Sequence, residues 1–199
     1  MKREIQDVVR AIVSAEPRFV STGRLLSLTP VTRILRGVYL ERSSSPDEFH
    51  VWAFVQPLYV PASTIVFSLG RRLGGSSHRW RATDAESLIG AIRSDGIPFI
   101  VDNDTPERLA AWLERRNDRD GNSLEAKAWS FVACGKFERA IEPFDELIAM
   151  FDEDVPWQRE RKELSLRMRA YCLSAPDRAR QVVGECELAT RAALDLAAT

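Results

Sequence analysis

The N-terminal segment has the apolar periodicity of an amphipathic helix. Between residues 5 and 13, apolar side chains recur at offsets of 0, 3, 4, 7 and 8, which places them along one helical face. They are Ile5, Val8, Val9, Ile12 and Val13. Residues 33–42, "RILRGVYLER", precede the turn-forming string "SSSPDE", and we interpret them as a strand.

The longest uncharged stretch covers residues 49–70, 22 residues without Asp, Glu, Lys or Arg. Its length would suffice for a membrane-spanning helix. However, Pro57 and Pro61 would lie inside that helix, where each costs about 3 kcal/mol. The aromatic and β-branched residues instead favour two strands, 49–56 and 63–70, joined by the extended loop "PLYVP". The short connections between the three predicted strands favour an antiparallel meander, and no membrane span is expected.

Helical signals dominate after Gly75. In "TDAESLIGAIRSDG", Thr83 and Glu86 have the spacing of a capping box, and Gly96 is a candidate helix stop. The string "IPFIV" at 97–101 suggests a short additional strand. This part of the chain therefore continues the mixed α and β character.

The remaining chain is predicted to be helical. A helix is expected to begin with Thr105 as its N-cap and Pro106 at its first position. From Asn122 onward the pattern predicts only helices, including 157–173 and 175–197.

These elements together predict an α+β protein. It consists of an N-terminal helix and a small antiparallel sheet of three to four strands, followed by an all-helical C-terminal half. The α+β portion is expected to cover residues 1–103 and the helical portion residues 104–199. The two portions are expected to pack together as one compact unit.

The first part of the helical half resembles a known repeat family. "SLEAKAWSFVACGKFERAIEPFDELIAMF" (123–151) resembles a single tetratricopeptide-type helical hairpin. The matching positions are Ala128 and Phe131 in the first helix and Gly135, Phe137, Ala140 and Phe144 in the turn and second helix. Leu147 stands where the family prefers a small residue, the closing proline is displaced to Pro156, and no second copy follows. The resemblance implies helix packing, or a groove that binds a peptide.

The overall layout is also similar to uncharacterised bacterial proteins of this size, which implies no particular activity. The hydrophobic fraction of 45% and the charged fraction of 29% are those of a folded globular chain. Charge is unevenly distributed: residues 1–81 carry 12 Lys and Arg against 6 Asp and Glu, whereas residues 82–199 carry 16 against 23. The balances of +6 and -7 indicate either a polyanion-binding face or two surfaces that attract each other.

The cysteines indicate a reducing compartment. Cys134, Cys172 and Cys186 are odd in number and form no CxxC pair, and the last two fall on apolar helix faces. The N-terminal segment carries charges within its apolar part, unlike a secretory signal. We therefore expect a cytoplasmic protein.

Few residues have the spacing of a catalytic or metal site. The string "PFIVDNDTPE" resembles the haloacid-dehalogenase phosphatases, in which Asp102 and Asp104 would act as nucleophile and acid–base group beside Mg²⁺. Thr105 comes one residue too early for that pattern, so we interpret Asp104 and Thr105 as helix-capping residues. The two histidines, His50 and His78, have no metal-ligand spacing. No catalytic residue, metal or cofactor is therefore predicted.

The segment "GRRLGGSSHRW" (70–80) is the best candidate for binding an anion. Its glycines can direct successive backbone amides towards a phosphate, and its polar side chains can add donors. The candidate residues are Arg71, Arg72, Gly74, Gly75, Ser76, Ser77, His78 and Arg79. The segment matches neither GxxxxGK[ST] nor the dinucleotide fingerprint, and a solvated turn after a strand is the other interpretation.

The predicted function is that of a non-enzymatic adaptor that binds another protein through the helical half. The candidate partner-binding residues are Arg161, Lys162, Arg167 and Arg169, which otherwise form a solvated helix face. The alternative is an anion-handling protein, either nucleic-acid-binding or a small-molecule enzyme, that uses residues 70–81. The sequence leaves the partner, the oligomeric state and any catalytic activity open.

Overall fold

The structure, a computed structural model, describes residues 3–45, 47–79 and 85–196. It is an α+β protein whose chain divides into two units. The sheet unit contains Met1–Gln56 and Leu69–Asp104, and the helical unit contains Pro57–Ser68 and Thr105–Ala198. The helical unit therefore includes a loop that lies between two strands in the sequence.

The sheet unit contains one five-stranded antiparallel sheet in the order β1-β2-β3-β4-β5. Its strands are β1 Phe19–Thr22, β2 Leu25–Leu28, β3 Ile34–Arg42, β4 Glu48–Pro57 and β5 Gly70–Arg79. Its helices are α1 Arg3–Ala15, α2 Ala85–Ala91 and α3 Ile97–Asp102, with a π-helical turn at Ile92–Gly96 between the last two. The predicted N-terminal helix and the strand at 33–42 are confirmed.

The sheet is larger than the predicted three to four strands. The pattern missed the hairpin of β1 and β2, because each strand has only four residues and offers too little alternation to recognise. Gly23 lies in the two-residue turn of this hairpin with a φ of 65°, a conformation that glycine adopts without strain. The fifth strand, β5, lies where the sequence suggested a glycine-rich loop.

The predicted strand at 63–70 is wrong. Residues 63–69 form no strand, and β5 begins only at Gly70. The preceding loop residues Leu58 and Tyr59 are fully buried within the helical unit. Residues 63–68 are exposed or half-buried, so their alternation of apolar and polar residues did not mark a strand.

The predicted strand at 97–101 is also wrong, because these residues form α3. Pro98 lies just after the π-helical turn and has no backbone N–H to donate to it. Gly96 does not stop the preceding helix but continues it through the π-helical turn. A Cβ on Gly96 would lie 2.9 Å from the Leu73 side chain, so this glycine lets the turn approach β5 closely. Thr83 lies outside the described residues.

The helical unit confirms the helices predicted after residue 104. They are α4 Pro106–Arg116, α5 Gly121–Ala133, α6 Phe137–Met150, α7 Pro156–Ser174 and α8 Pro176–Ala193. Thr105 caps α4 as predicted, since its hydroxyl accepts a hydrogen bond from the Arg108 amide at 3.3 Å. None of the described helices is both long and apolar enough to cross a membrane.

Helices α5 and α6 form a hairpin whose inner residues are buried. Gly135 occupies the turn with a φ of 72°. Ala128, Phe131, Ala140 and Phe144 are at most 2% exposed, so they belong to the core of the unit. The rings of Trp129 and Phe144 meet edge to face with centroids 6.5 Å apart. The apolar stripe of α6 that contains Ala140, Phe144 and Leu147 is thus the packing face of that helix.

Candidate functional site

The basic candidates on α7 have different surroundings. Lys162 forms an ion pair with Glu153 at 2.8 Å, and Arg169 forms one with Asp145. These two cations are therefore neutralised by acidic residues of the same unit. The other two candidates line a cleft, so the four do not form one surface.

This cleft, the α7–α8 cleft, lies between α7, α8 and the loop that connects β4 to β5. Its volume of about 570 Å³ falls within the range of ligand-binding sites, about 300–1,000 Å³. Its apolar lining consists of Pro61, Ala62, Leu164, Ala189 and Ala193. Its polar and charged lining consists of Ser63, Glu160, Arg161, Glu163, Arg167, Cys186 and Thr190.

The backbone of the loop is held by side chains of the two helices. Thr190 of α8 donates its hydroxyl hydrogen to the Val60 carbonyl at 3.2 Å and accepts from the Ala62 amide at 3.3 Å. Arg161 of α7 donates through Nη2 to the Pro61 carbonyl at 2.8 Å. Three consecutive loop residues thus bind to the helices through their main chain.

Tyr59 anchors the loop in the helical core. Its side chain is fully buried, and its hydroxyl lies 2.7 Å from the hydroxyl of Ser130 on α5. A buried tyrosine hydroxyl needs a hydrogen-bond partner within the protein, and the Ser130 hydroxyl provides it. The residues that follow Tyr59 are thereby placed at one wall of the cleft.

A buried carboxylate supports the same wall from beneath. Oε1 of Glu125 on α5 accepts from Nη1 of Arg161 at 2.5 Å. Burial raises the pKa of Glu125 above its usual range, and the nearby Arg161 guanidinium opposes that shift. Arg161 therefore holds the loop carbonyl and the buried acid at once, which makes it a structural residue of the cleft.

Arg167 differs from Arg161 because its guanidinium is available. It is exposed at the cleft and forms no ion pair with a side chain in the described part of the chain. Glu160 and Glu163, one to two helical turns before it on α7, are likewise exposed and form no ion pair within the described ranges. The cleft thus presents a free cation beside two free carboxylates.

The cleft cysteine is not activated. Burial raises the pKa of the Cys186 thiol, and the neighbouring Glu185 carboxylate acts in the same direction. Burial also raises the pKa of Cys172 to about 11. Because the thiolate is the nucleophilic form, neither sulfur is prepared for covalent catalysis.

The glycine- and arginine-rich segment forms the edge strand β5. The guanidinium of Arg72 lies 4.9 Å from the Trp52 ring centroid, and Arg79 lies 3.9 Å from the Glu48 carboxylate. The interpretation of this segment as a turn after a strand is therefore wrong, whereas anion binding stays a prediction. Arginines on an exposed edge also have a structural role, because they discourage pairing with strands of other molecules.

A bulge interrupts β5 opposite His50. The flanking pairs are Phe49–His78 and Val51–Leu73. Residues 74–77 therefore stand opposite His50 alone, and Gly74 and Gly75 have φ values of 69° and 98°. Nδ1 of His50 is buried and has no hydrogen-bond partner in the described part of the molecule. The bulge includes Ser76 and Ser77, whose side chains lie outside what the structure describes.

His78 closes this bulge. Its Nε2 lies 3.1 Å from the Leu73 carbonyl, and its ring lies 5.3 Å from the ring of Phe49. A Cβ on Gly74 would lie 2.6 Å from the His78 ring, so the glycine makes room for the histidine. The Gly-Gly pair and His78 are thus explained by the shape of the strand.

Asp104 has a structural partner. Its carboxylate lies 3.4 Å from Nη1 of Arg36, which also donates through Nη2 to the Pro30 carbonyl at 3.1 Å. Burial lowers the pKa of Arg36. The described residues contain no group of three or more His, Cys, Asp or Glu that could hold a metal ion.

Arg161 and Arg167, two of the predicted partner-binding residues, line the cleft, whereas none of the residues that surround them there was predicted to take part in binding. Glu125 lies inside a helix that is mostly apolar, and Thr190 carries no motif. The uncharged loop around Pro61 was the one available signal, since apolar residues between two prolines need a surface to cover them. That signal indicated burial without indicating which helices provide it.

The chain matches no protein-family model, and no curated protein or solved structure is significantly similar to it.

Proposed function

We propose that this chain is a non-enzymatic adaptor whose helical unit binds a segment of a partner protein in the α7–α8 cleft. The observation that carries the proposal is the loop at the cleft wall. Val60, Pro61 and Ala62 are already held there by main-chain hydrogen bonds to Arg161 and Thr190. The open volume beside them continues the same groove.

The lining of the cleft suits a peptide better than a reaction. Small apolar side chains, such as Ala189 and Ala193, form part of its surface, and free charges lie at its α7 side. Protein-binding surfaces commonly combine an apolar centre with a charged rim. The raised pKa of the Cys186 thiol weighs against covalent catalysis in the same cleft.

Site-specific photocrosslinking tests the proposal. Glu163, at the cleft, is replaced by benzoylphenylalanine, and the purified full chain is irradiated in a lysate of its host. A discrete heavier adduct is expected from position 163. The same replacement at Arg115, which is exposed on α4 away from the cleft lining, is expected to give no such adduct.

Filling the cleft provides the matched control. Ala189→Trp places a large ring in the cleft and is expected to abolish the adduct. Ala192→Trp adds the same ring at an exposed position of α8 that does not line the cleft, and should leave the adduct intact. Equal adducts from positions 163 and 115, or an adduct that survives Ala189→Trp in a folded protein, would refute the cleft as the binding site.

The bulge in β5 favours a second candidate, the handling of an anion by the sheet unit. The observation is the unpartnered Nδ1 of His50 opposite Gly74 and Gly75, with the exposed Arg71 on the same strand. Single-stranded oligonucleotide and inorganic phosphate are the probes. A salt-dependent affinity that falls in Arg71→Ala and His50→Phe would support this candidate. Absence of binding by both probes at low salt would exclude it.

A further inference from the structure

Three charges of α7 lie along the α7–α8 cleft without a partner in the described part of the chain. They are Glu160, Glu163 and Arg167, and all three are exposed. A fourth charge of the cleft, Arg161, is already committed to Glu125 and to the Pro61 carbonyl. Any ligand in the cleft therefore meets one positive and two negative groups that it can neutralise.

The spacing of these charges matches the repeat of an extended peptide. Glu163 and Arg167 are four residues apart, which puts them on one helical face and about 6 Å apart along the axis. In an extended chain, alternate side chains point to the same side at intervals of about 6.6 Å. Two peptide residues separated by one position can therefore face Glu163 and Arg167 together.

The chain's own loop shows that α7 and α8 bind main-chain atoms at the wall of the cleft. Thr190 contacts the Val60 carbonyl and the Ala62 amide, and Arg161 contacts the carbonyl between them. These contacts involve main-chain atoms and so place no demand on the side chains of the bound segment. Selectivity in the open part of the cleft must come from its charges and from the small volume beside Ala189 and Ala193.

We infer that the α7–α8 cleft selects an extended peptide in which a basic and an acidic residue are two positions apart. The acidic residue pairs with Arg167, and the basic residue pairs with Glu163 and Glu160. The inference rests on the proposed function, because it names the class of partner segment that the same cleft takes.

Selection from a random heptapeptide library displayed on phage tests the inference on the full chain. The wild-type protein is expected to enrich peptides with Asp or Glu two positions from Lys or Arg. Arg167→Glu leaves Arg161 as the one cation among the described residues of the cleft lining. Peptides selected by this variant are expected to carry a second basic residue in place of the acidic one. Arg115→Glu, the same charge change on exposed α4, is expected to leave the wild-type pattern unchanged.

A direct measurement completes the test. A synthetic copy of the most enriched wild-type peptide should bind at least tenfold more weakly when its acidic residue is replaced by the matching amide, and Arg167→Glu should weaken it similarly. Thermal unfolding of each variant confirms that the helices are intact. In the Ala189→Trp background the filled cleft should no longer bind the peptide. Neither substitution should then have a further effect.

The outcomes separate this inference from the proposed function. Enrichment of peptides without the charged pair, a pattern unaffected by Arg167→Glu, or no enrichment at all would overturn the inference. The position-163 crosslink would then still report whether the cleft binds a protein in another way. Loss of both the crosslink and the enrichment would overturn the function and the inference together.

Discussion

The hydroxyl of Tyr59 lies 2.7 Å from the hydroxyl of Ser130, and both residues are fully buried. Because both side chains are shielded from water, each hydroxyl serves the other as a hydrogen-bond partner. The pair joins the loop after β4 to helix α5 within the helical unit. The position of the cleft wall at Pro61 therefore depends on a contact made two residues earlier.

Removing either hydroxyl of this pair should destabilise the protein. Tyr59→Phe and Ser130→Ala are each expected to cost about 1 kcal/mol or more, because each removes a buried hydrogen bond between two side chains. The double variant should cost less than the sum of the two by about 1 kcal/mol. Urea unfolding of the four proteins measures this coupling, and strictly additive losses would show that the hydroxyls do not interact.

Removing Arg161 should destabilise the protein in a pH-dependent way. Arg161→Ala leaves the Glu125 carboxylate buried without its cation and frees the Pro61 carbonyl. Breaking a buried ion pair costs about 3–5 kcal/mol, and we expect about 2–3 kcal/mol here because the Arg161 side chain is 31% exposed. Urea unfolding at neutral pH measures the loss.

The sign of the pH effect follows from the raised pKa of Glu125. A carboxyl whose folded-state pKa lies above its unfolded value is favoured in the protonated form by folding. The stabilisation that comes from the protonated carboxyl is complete below the unfolded-state pKa of about 4.3. It is lost as the pH rises through the folded-state pKa. Because the Arg161 guanidinium lowers the pKa of Glu125, its removal raises that pKa further, and the deficit of Arg161→Ala should be larger at pH 8 than at pH 5. Arg167→Ala, whose guanidinium has no such partner, should show no comparable difference.

Two glycine substitutions should change stability in opposite directions. A Cβ on Gly37 of β3 would lie 2.2 Å from the Leu26 carbonyl oxygen, so Gly37→Ala must displace backbone and should cost about 2 kcal/mol or more. Gly184 lies inside α8 with open space around its Cα, and Gly184→Ala should stabilise by about 0.5–1 kcal/mol. Thermal unfolding compares the two, and a stable Gly37→Ala would contradict the close approach of β2 to β3.

The thiol of Cys172 should react slowly with alkylating agents. Burial raises its pKa from 9.0 to about 11, which lowers the thiolate fraction at pH 8 by about 100-fold. Alkylation by iodoacetamide, followed by mass spectrometry, should be at least that much slower than for an unstructured cysteine peptide. The rate should rise about tenfold per pH unit below the pKa. A rate equal to that of the peptide would show that the site is open.

The sequence predicted the elements whose periodicity is long and regular. The α1 stripe and the apolar face of α6 each repeat over several helical turns, and the structure buries both. The short strands β1 and β2 and the helix α3 were missed because four to six residues do not distinguish periods of 2 and 3.6. Residues 63–69 were misread as a strand because their apolar and polar residues alternate with a period of 2 although they form none.

In the candidate site, too, local features were predictable from the sequence and contacts between distant elements were not. Arg167 was recognisable as a charge on a helical face, since that requires only local spacing. Whether its guanidinium is free depends on where acidic residues of other elements lie. Arg169 has such a partner in Asp145, and Arg167 has none among the described residues. Local sequence contains no information on that difference, because the partners are set by the packing of α6, α7 and α8.

The loop that belongs to the helical unit has a consequence for the timing of biosynthesis. Tyr59 precedes its partner Ser130 by 71 positions, and Val60 precedes Thr190 by 130. At synthesis rates of about 5–20 residues per second, the second interval corresponds to roughly 7–26 seconds. During that time the loop gains its partners Ser130 and Arg161 but still lacks its contacts with Thr190 of α8. In a nascent chain, this uncharged loop is therefore incompletely covered until α8 emerges from the ribosome.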